Sequence, residues 1–313
     1  MRIVFFGSGE FADRMLEELL RSGHTPVLVV TRPPRRRRRR GHEEPTPVHV
    51  RAEEAGIPVA IPAKVNAPEF LAELKGVDAQ LFLVAEYGQI LSQRLLDIPA
   101  QGSLNVHGSL LPRHRGASPV VAALLAGDAT TGVTIQRVVQ RLDAGPVLAT
   151  RETPIGEGEN AGSLTARLAD LGAELLVEVV TAFAEGHPPP EQEQDESQVT
   201  VCRKLTSEDA AIDWNAAAEA LARRIRAMAP KPGAHTRLLR EPELSVIIRQ
   251  ASAVQGEGEG DPGVVTEVDK RGFSVATGRG LLRVEELIPA ARRAMSAAAF
   301  VNGYRLVRGE RFR

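Results

Sequence analysis

Apolar residues recur along the first half of this chain with two periods. Residues 2–7 carry the unbroken run Ile3-Val4-Phe5-Phe6, expected of a strand buried on both faces. Phe11, Met15, Leu16, Leu19 and Leu20 then repeat at helical spacing. Apolar stretches at 26–30, 59–61 and 79–85 predict further strands, with a helix over 67–74. The run 103–107 predicts another strand, ended by Gly and Pro. Beyond it the pattern predicts a helix at 119–126, strands at 133–139 and 147–153, and a long Ala/Leu/Val-rich helix at 163–185. Strands alternating with helices imply an α/β domain: a Rossmann-like, largely parallel sheet covered on both faces.

The pattern then breaks. Residues 186–197 are Pro-rich, then acidic, with almost nothing apolar, and 186–203 is expected to be an extended linker. After it come a helix at 217–228 and short strands at 244–248, 264–268, 273–276 and 281–287. Strands of that length, separated by Gly-containing turns, suggest a small β-barrel or sandwich. The expected organisation is a first domain over 1–185 and a smaller, OB-like barrel over 204–313.

Composition narrows the class. With 43% hydrophobic and 25% charged residues over 313 positions, the chain can bury a core in each of two domains. The one cysteine, Cys202, excludes an internal disulfide and any zinc site built on several thiolates. No run of 18 apolar residues and no apolar leader is present, so a soluble, cytoplasmic protein without a membrane partner is expected. The net charge of −1 hides an asymmetry: residues 198–313 hold 19 basic against 14 acidic side chains, and residues 1–197 hold 20 against 26. The later part therefore has the sign of a polyanion binder. Six consecutive arginines, Arg35, Arg36, Arg37, Arg38, Arg39 and Arg40, form a run that must stay solvated. Guanidinium forks match phosphate geometry, so this loop is a candidate arm for nucleic acid.

Candidate chemistry lies at the end of the 103–107 strand. Asn105 and His107 are two apart, so strand geometry puts both side chains on one side of the chain. Parallel sheets place ligands beyond the carboxyl ends of their strands. The run Asn105-Val-His-Gly-Ser-Leu-Leu-Pro-Arg-His-Arg-Gly-Ala-Ser-Pro119, with Asp143 in Leu142-Asp-Ala-Gly145, resembles the signature of the methionyl-tRNA formyltransferases. Their opening strand and turn resemble Ile3 to Ala12. The likeness continues beyond the linker, in Lys204-Leu205, Ile212-Asp213-Trp214, Ile225-Arg226-Ala227, Pro230-Lys-Pro-Gly233, Ala276-Thr277-Gly278 and Ala294-Met-Ser-Ala297.

The resemblance implies catalysis by Asn105, His107 and Asp143. The formyl donor would be 10-formyltetrahydrofolate, held by Tyr87, Gly88, Ser109, Leu110, Leu111 and Pro112. The acceptor would be initiator Met-tRNA, and the tail a small barrel that helps hold it. No metal is needed, and a monomer is expected. Formyltransferases that act on amino sugars are expected to lack this tail. Three residues depart from the family: Gly9 stands at a usual proline, Glu86 at a usual small residue and His114 at a frequent aromatic. Glu86, beside the folate loop, has no role the sequence explains. A rival reading takes Gly7-Ser-Gly-Glu-Phe-Ala12 as a dinucleotide fingerprint, with the arginines as partners of a 2′-phosphate. Thr31-Arg32 at the end of the second strand offers no ribose-binding acid, and nothing downstream suits hydride transfer. An RNA-binding protein without catalysis is the third reading, disfavoured by the presence of all three polar residues.

Overall fold

The computed structural model describes residues 1–36, 43–254 and 260–313. The chain divides into two compact units. The first comprises Met1–Pro119, Thr130–Pro154 and Thr165–Arg203; the second comprises Val120–Ala129, Ile155–Leu164 and Lys204–Arg313. Two short excursions, at 120–129 and 155–164, thus fall outside the unit to which the expected 1–185 boundary assigned them. Val121 and Leu125 explain the first of these, because both pack on the second unit's core.

The first unit is built on a seven-stranded sheet. Its order is Val147–Pro154, Thr130–Arg137, Ser103–His107, Leu81–Ala85, Ile3–Gly7, Leu28–Val30 and Val59–Ala60. The last five strands are parallel to one another; Thr130–Arg137 runs antiparallel to Ser103–His107, and Val147–Pro154 antiparallel to Thr130–Arg137. Every residue of Ile3–Gly7 and Leu81–Ala85 is buried, as central strands covered on both faces require. Val4, Phe6, Phe82 and Val84 lead one core cluster, completed by Phe70 and Leu74 of the Pro68–Gly76 helix. The Glu10–Arg21 helix buries Ala12, Met15, Leu16 and Leu19, the stripe legible in the sequence.

A Pro47–Glu54 helix, with no strong sequence pattern, is started by the Thr46 side chain accepting from the His49 N–H at 3.2 Å. Arg35–Arg36, expected in a solvated loop, pair antiparallel with Glu43–Glu44. Arg37, Arg38, Arg39 and Arg40 lie outside the described residues.

The segment 186–203, expected as a linker, is tied along its length to the first unit. Gln192 exchanges backbone hydrogen bonds with Val147, at 2.7 and 2.8 Å. Val201–Cys202 pairs parallel with Arg115–Gly116. Arg115, only 3% exposed, donates to Gln194 and Glu196. Residues 186–197 have almost nothing apolar because their contacts are polar, which leaves no hydrophobic period to read.

The second unit is an antiparallel sheet in the order Ala234–Leu238, Leu244–Val254, Leu281–Pro289, Gly272–Ala276 and Val265–Asp269. The sequence pattern misses Ala234–Leu238, the Ala297–Tyr304 helix and the full length of Leu244–Val254, whose register shifts around Gln250 blur the alternation. Residues 309–313 connect the two sheet edges. Arg313 exchanges backbone bonds with Arg237 and the Leu239 N–H donates to the Arg311 carbonyl, while Gly309, Glu310 and Phe312 bond Val265 and Gly263. That closes the barrel and satisfies edges that would otherwise stay unpaired. Phe312, 1% exposed, stacks on Phe273 with ring centroids 5.8 Å apart and faces Trp214 at 5.8 Å. Among the described residues no helix is long and apolar enough to cross a membrane.

Candidate active site

Asn105 and His107 do share one face of their strand, and the neighbouring strand extends that face. Asn105 pairs with Gln136, and His107 with Thr134. Directly opposed residues on paired strands lie on the same side of the sheet. The result is a polar quartet on one face of the sheet, with Thr134 and Gln136 fully buried. The alternation in Thr130–Arg137 contains the signal for the two partners; only the strand pairing reveals what they face. Among the described residues the half-buried Asn105 amide has no hydrogen-bond partner, so both its donors are available.

His107 is 5% exposed, and its Nε2 lies 2.9 Å from the His114 carbonyl. A carbonyl only accepts, so Nε2 carries the proton and Nδ1 is the variable position. Nδ1 lies 3.8 Å from Asp143 Oδ2, an ion-pair distance when the ring is protonated. The Asp143 carboxylate is itself anchored: Oδ2 accepts from the Gly116 N–H at 2.8 Å and Oδ1 from Gln136 Nε2 at 3.1 Å. Asp143 has φ 49°, the left-handed region that aspartate tolerates better than most side chains. His107 and Asp143 therefore come together, and Asn105 lies on the same face of the strand as His107. Cys202 lies nearby, but burial, reinforced by the Asp143 charge, pushes its thiol pKa up, the reverse of an activated nucleophile.

The two expected folate loops leave adjacent parallel strands, since Val84 pairs with Asn105. In the first, the Tyr87 ring is core: it meets Phe6 edge-on at 5.5 Å, its buried hydroxyl has no partner among the described residues, and burial raises its pKa. Outward of the core this loop has Gly88 (φ 79°), where a Cβ would stand 2.6 Å from Arg32 Nη1, and the exposed Ile90. In the second loop the Ser109 hydroxyl donates to the Arg113 carbonyl at 2.7 Å. Thr134 Oγ1 donates to the Ser109 carbonyl at 2.7 Å and accepts from the Leu111 N–H at 3.1 Å. Leu110 reaches the sheet at Gly132, where a Cβ would stand 2.6 Å from Leu110 Cδ2 and 2.2 Å from the Arg151 carbonyl. The Arg32 guanidinium over Gly88 and the Asn105 amide are hydrogen-bonding groups that a planar heterocycle could use. Among the described residues no cluster of three His, Cys, Asp or Glu could hold a metal ion.

Glu86 finds its explanation with Gly9. A Cβ on Gly9 would lie 2.0 Å from Glu86 Oε2. The Glu86 carboxylate accepts from the Phe11 and Ala12 N–H groups, at the start of the Glu10–Arg21 helix. The residue as a whole is exposed, but its carboxyl is enclosed there. Burial raises its pKa, against the lowering effects of the Phe11 N–H, Arg32 and the Ala12 N–H. Two departures from the family pattern are thus one contact. A carboxylate stands where a dinucleotide fingerprint would receive pyrophosphate, which removes the physical basis of the oxidoreductase reading.

Residues 1–180 match the family model described as formyl transferase, and residues 204–305 match formyl transferase, C-terminal domain. The methionyl-tRNA formyltransferase of Halorhodospira halophila is 43% identical over 309 residues, covering 99% of this chain and 98% of that protein. Among solved structures, HypX from Aquifex aeolicus in complex with tetrahydrofolic acid shares the fold with TM-score 0.61 at 18% identity. The match covers 97% of this chain, and the chain spans 47% of HypX. An N-formyltransferase from Helicobacter canadensis, in complex with folinic acid and dTDP-3-aminofucose, matches 91% of this chain and 98% of its own with TM-score 0.65 and 16% identity. That likeness extends into the tail, so the tail's fold by itself does not set this chain apart from such an N-formyltransferase. Identity across both domains does separate them: this chain belongs to the methionyl-tRNA formyltransferase family.

Proposed function

We propose that this protein transfers the formyl group of 10-formyltetrahydrofolate to the α-amino group of methionine on initiator Met-tRNA, with Asn105, His107 and Asp143 as its catalytic residues. One observation supports the assignment of roles: the His107 imidazole lies 3.8 Å from the anchored Asp143 carboxylate, and Asn105, whose amide has no partner among the described residues, shares the strand face of His107. The neutral methionine amine attacks the formyl carbon, and the carbonyl oxygen takes up negative charge. The Asn105 amide donates to that oxygen. His107, protonated on Nδ1 and paired with Asp143, supplies positive charge beside it. Preorganised donors of this kind contribute about 3–4 kcal/mol each. The attacking nitrogen loses its proton towards Asp143, directly or through water, and a proton reaches the folate nitrogen as its bond to the formyl carbon breaks. Tetrahydrofolate and formyl-methionyl-tRNA leave.

The Gly88 backbone and the Ser109, Leu110, Leu111 and Pro112 loop would hold the folate, while Tyr87 supports its loop from the core. Residues 204–313, with their positive balance, would meet tRNA phosphates, and Arg35–Arg40 the acceptor end. Formylation assayed on methionylated initiator tRNA, methionylated elongator tRNA and an amino-sugar nucleotide tests the reading. Initiator-selective transfer is expected. Transfer to the sugar alone overturns the acceptor, and no transfer to any of them overturns the function. Deleting Arg35–Arg40 is expected to raise the KM for tRNA and leave the KM for the folate unchanged; an unchanged tRNA KM removes the arm from the proposal.

A further inference from the structure

Asp143 is held by more than its two direct donors. Behind it lies a chain of side chains that begins at Arg115, 3% exposed. Arg115 Nε and Nη2 donate to Gln194 Oε1 at 3.0 and 2.8 Å. Gln194 Nε2 then lies 3.2 Å from Gln136 Oε1, 2.9 Å from the Asp143 carbonyl and 2.7 Å from the Gly145 carbonyl. Gln136 Nε2 donates in turn to Asp143 Oδ1.

The direction of this chain is fixed at both ends. A guanidinium only donates and a carboxylate only accepts. Arg115 therefore sets Gln194 with its oxygen inward and its NH2 outward, and that NH2 sets Gln136 the same way round. Turning the Gln136 amide over would place NH2 against NH2 at one end and oxygen against carboxylate at the other. The two hydrogens of Gln194 Nε2 serve three acceptors. Two of these are main-chain carbonyls, of Asp143 itself and of Gly145 after it, in the left-handed turn. One side chain thus steadies both the backbone and the carboxylate orientation of the same residue. At its far end Glu196 joins Arg115 at 2.8 Å and Arg141 at 2.7 Å, and the two arginines hold its carboxyl below the usual range.

We propose that Gln194 and Gln136 are positioning residues for formyl transfer, forming with Arg115 a directional relay that aims the Asp143 carboxylate at His107 Nδ1. The segment expected as a linker is then part of the active-site support. The inference rests on Asp143 being catalytic, and a double-mutant cycle separates the two claims. Gln194→Glu keeps the shape and the Arg115 partnership but removes the donating NH2. The full-length variant is expected to lose roughly 10–100-fold in kcat, the loss corresponding to a hydrogen-bonded charged group left unsupported, with both KM values within about twofold. Placed on Asp143→Asn, the same change is expected to alter kcat less than about twofold, because the relay no longer ends on a carboxylate.

Wild-type kcat in Gln194→Glu, or an equal further loss on the Asp143→Asn background, overturns the relay; the second result would mean a general structural role. Near wild-type kcat in Asp143→Asn alone overturns the catalytic assignment beneath it. If Gln194→Glu does not fold, Gln136→Met removes the last link with little change in shape. It is read in the same cycle, with kcat expected to fall only when Asp143 is present.

Discussion

Asp143→Asn changes one charge and almost no volume, so its effect can be worked from the site. His107 Nδ1 and Asp143 Oδ2 are 3.8 Å apart, and their side chains are 6% and 14% exposed. At an effective dielectric constant near 20, a charge pair at that distance is worth about 4 kcal/mol. If protonated His107 is needed in the transition state, losing the pair costs about a thousandfold in kcat. The stability effect is separate. The Gly116 N–H and Gln136 Nε2 both need an acceptor, and the asparagine amide has one oxygen for the two of them. One buried donor is then left unsatisfied, at about 1–3 kcal/mol. Rapid-quench single-turnover formyl transfer, at saturating folate and Met-tRNA, measures the first effect; urea denaturation measures the second. A folded Asp143→Asn protein whose single-turnover rate stays within tenfold of wild type would refute the electrostatic argument.

Three other changes probe the scaffold. Gly132→Ala puts a Cβ 2.2 Å from a backbone carbonyl of the paired strand and is expected to destabilise the first unit by about 1–3 kcal/mol, seen as a lower urea midpoint; an unchanged midpoint would mean the strand yields freely. Phe312→Ala removes a stacked, buried ring from the barrel closure and should cost about 3–5 kcal/mol in the second unit, read as a lower melting temperature, whereas a loss below 1 kcal/mol would show that residues 309–313 do not hold the barrel. Glu86→Gln tests the raised carboxyl. A folded-state pKa above the unfolded value means the native state binds more protons, so wild-type stability falls as pH rises through the window from the ordinary glutamate value to the raised one. The variant should therefore gain on wild type across that window and show no gain below it; a gain that does not change with pH would refute the assignment.

Much of the first unit is legible in the chain itself. Ile3-Val4-Phe5-Phe6 and Leu81-Phe-Leu-Val-Ala85 are apolar throughout because both faces of a central parallel strand are covered, and a two-residue period is enough to align Asn105 with His107. Local sequence determines such features because burial on both faces, helical stripes and strand alternation depend on near neighbours only. It does not contain strand pairing. That Gln136 lies opposite Asn105, that Glu86 caps a helix through Gly9, and that residues 309–313 seal the barrel are decisions made across long stretches of chain. The polar segment 186–203 shows the limit most clearly. It carries no hydrophobic period because its contacts are hydrogen bonds and ion pairs, and these have direction and partners but no repeat. Composition therefore shows where the apolar pattern stops, and only the tertiary structure places Gln194 behind Asp143.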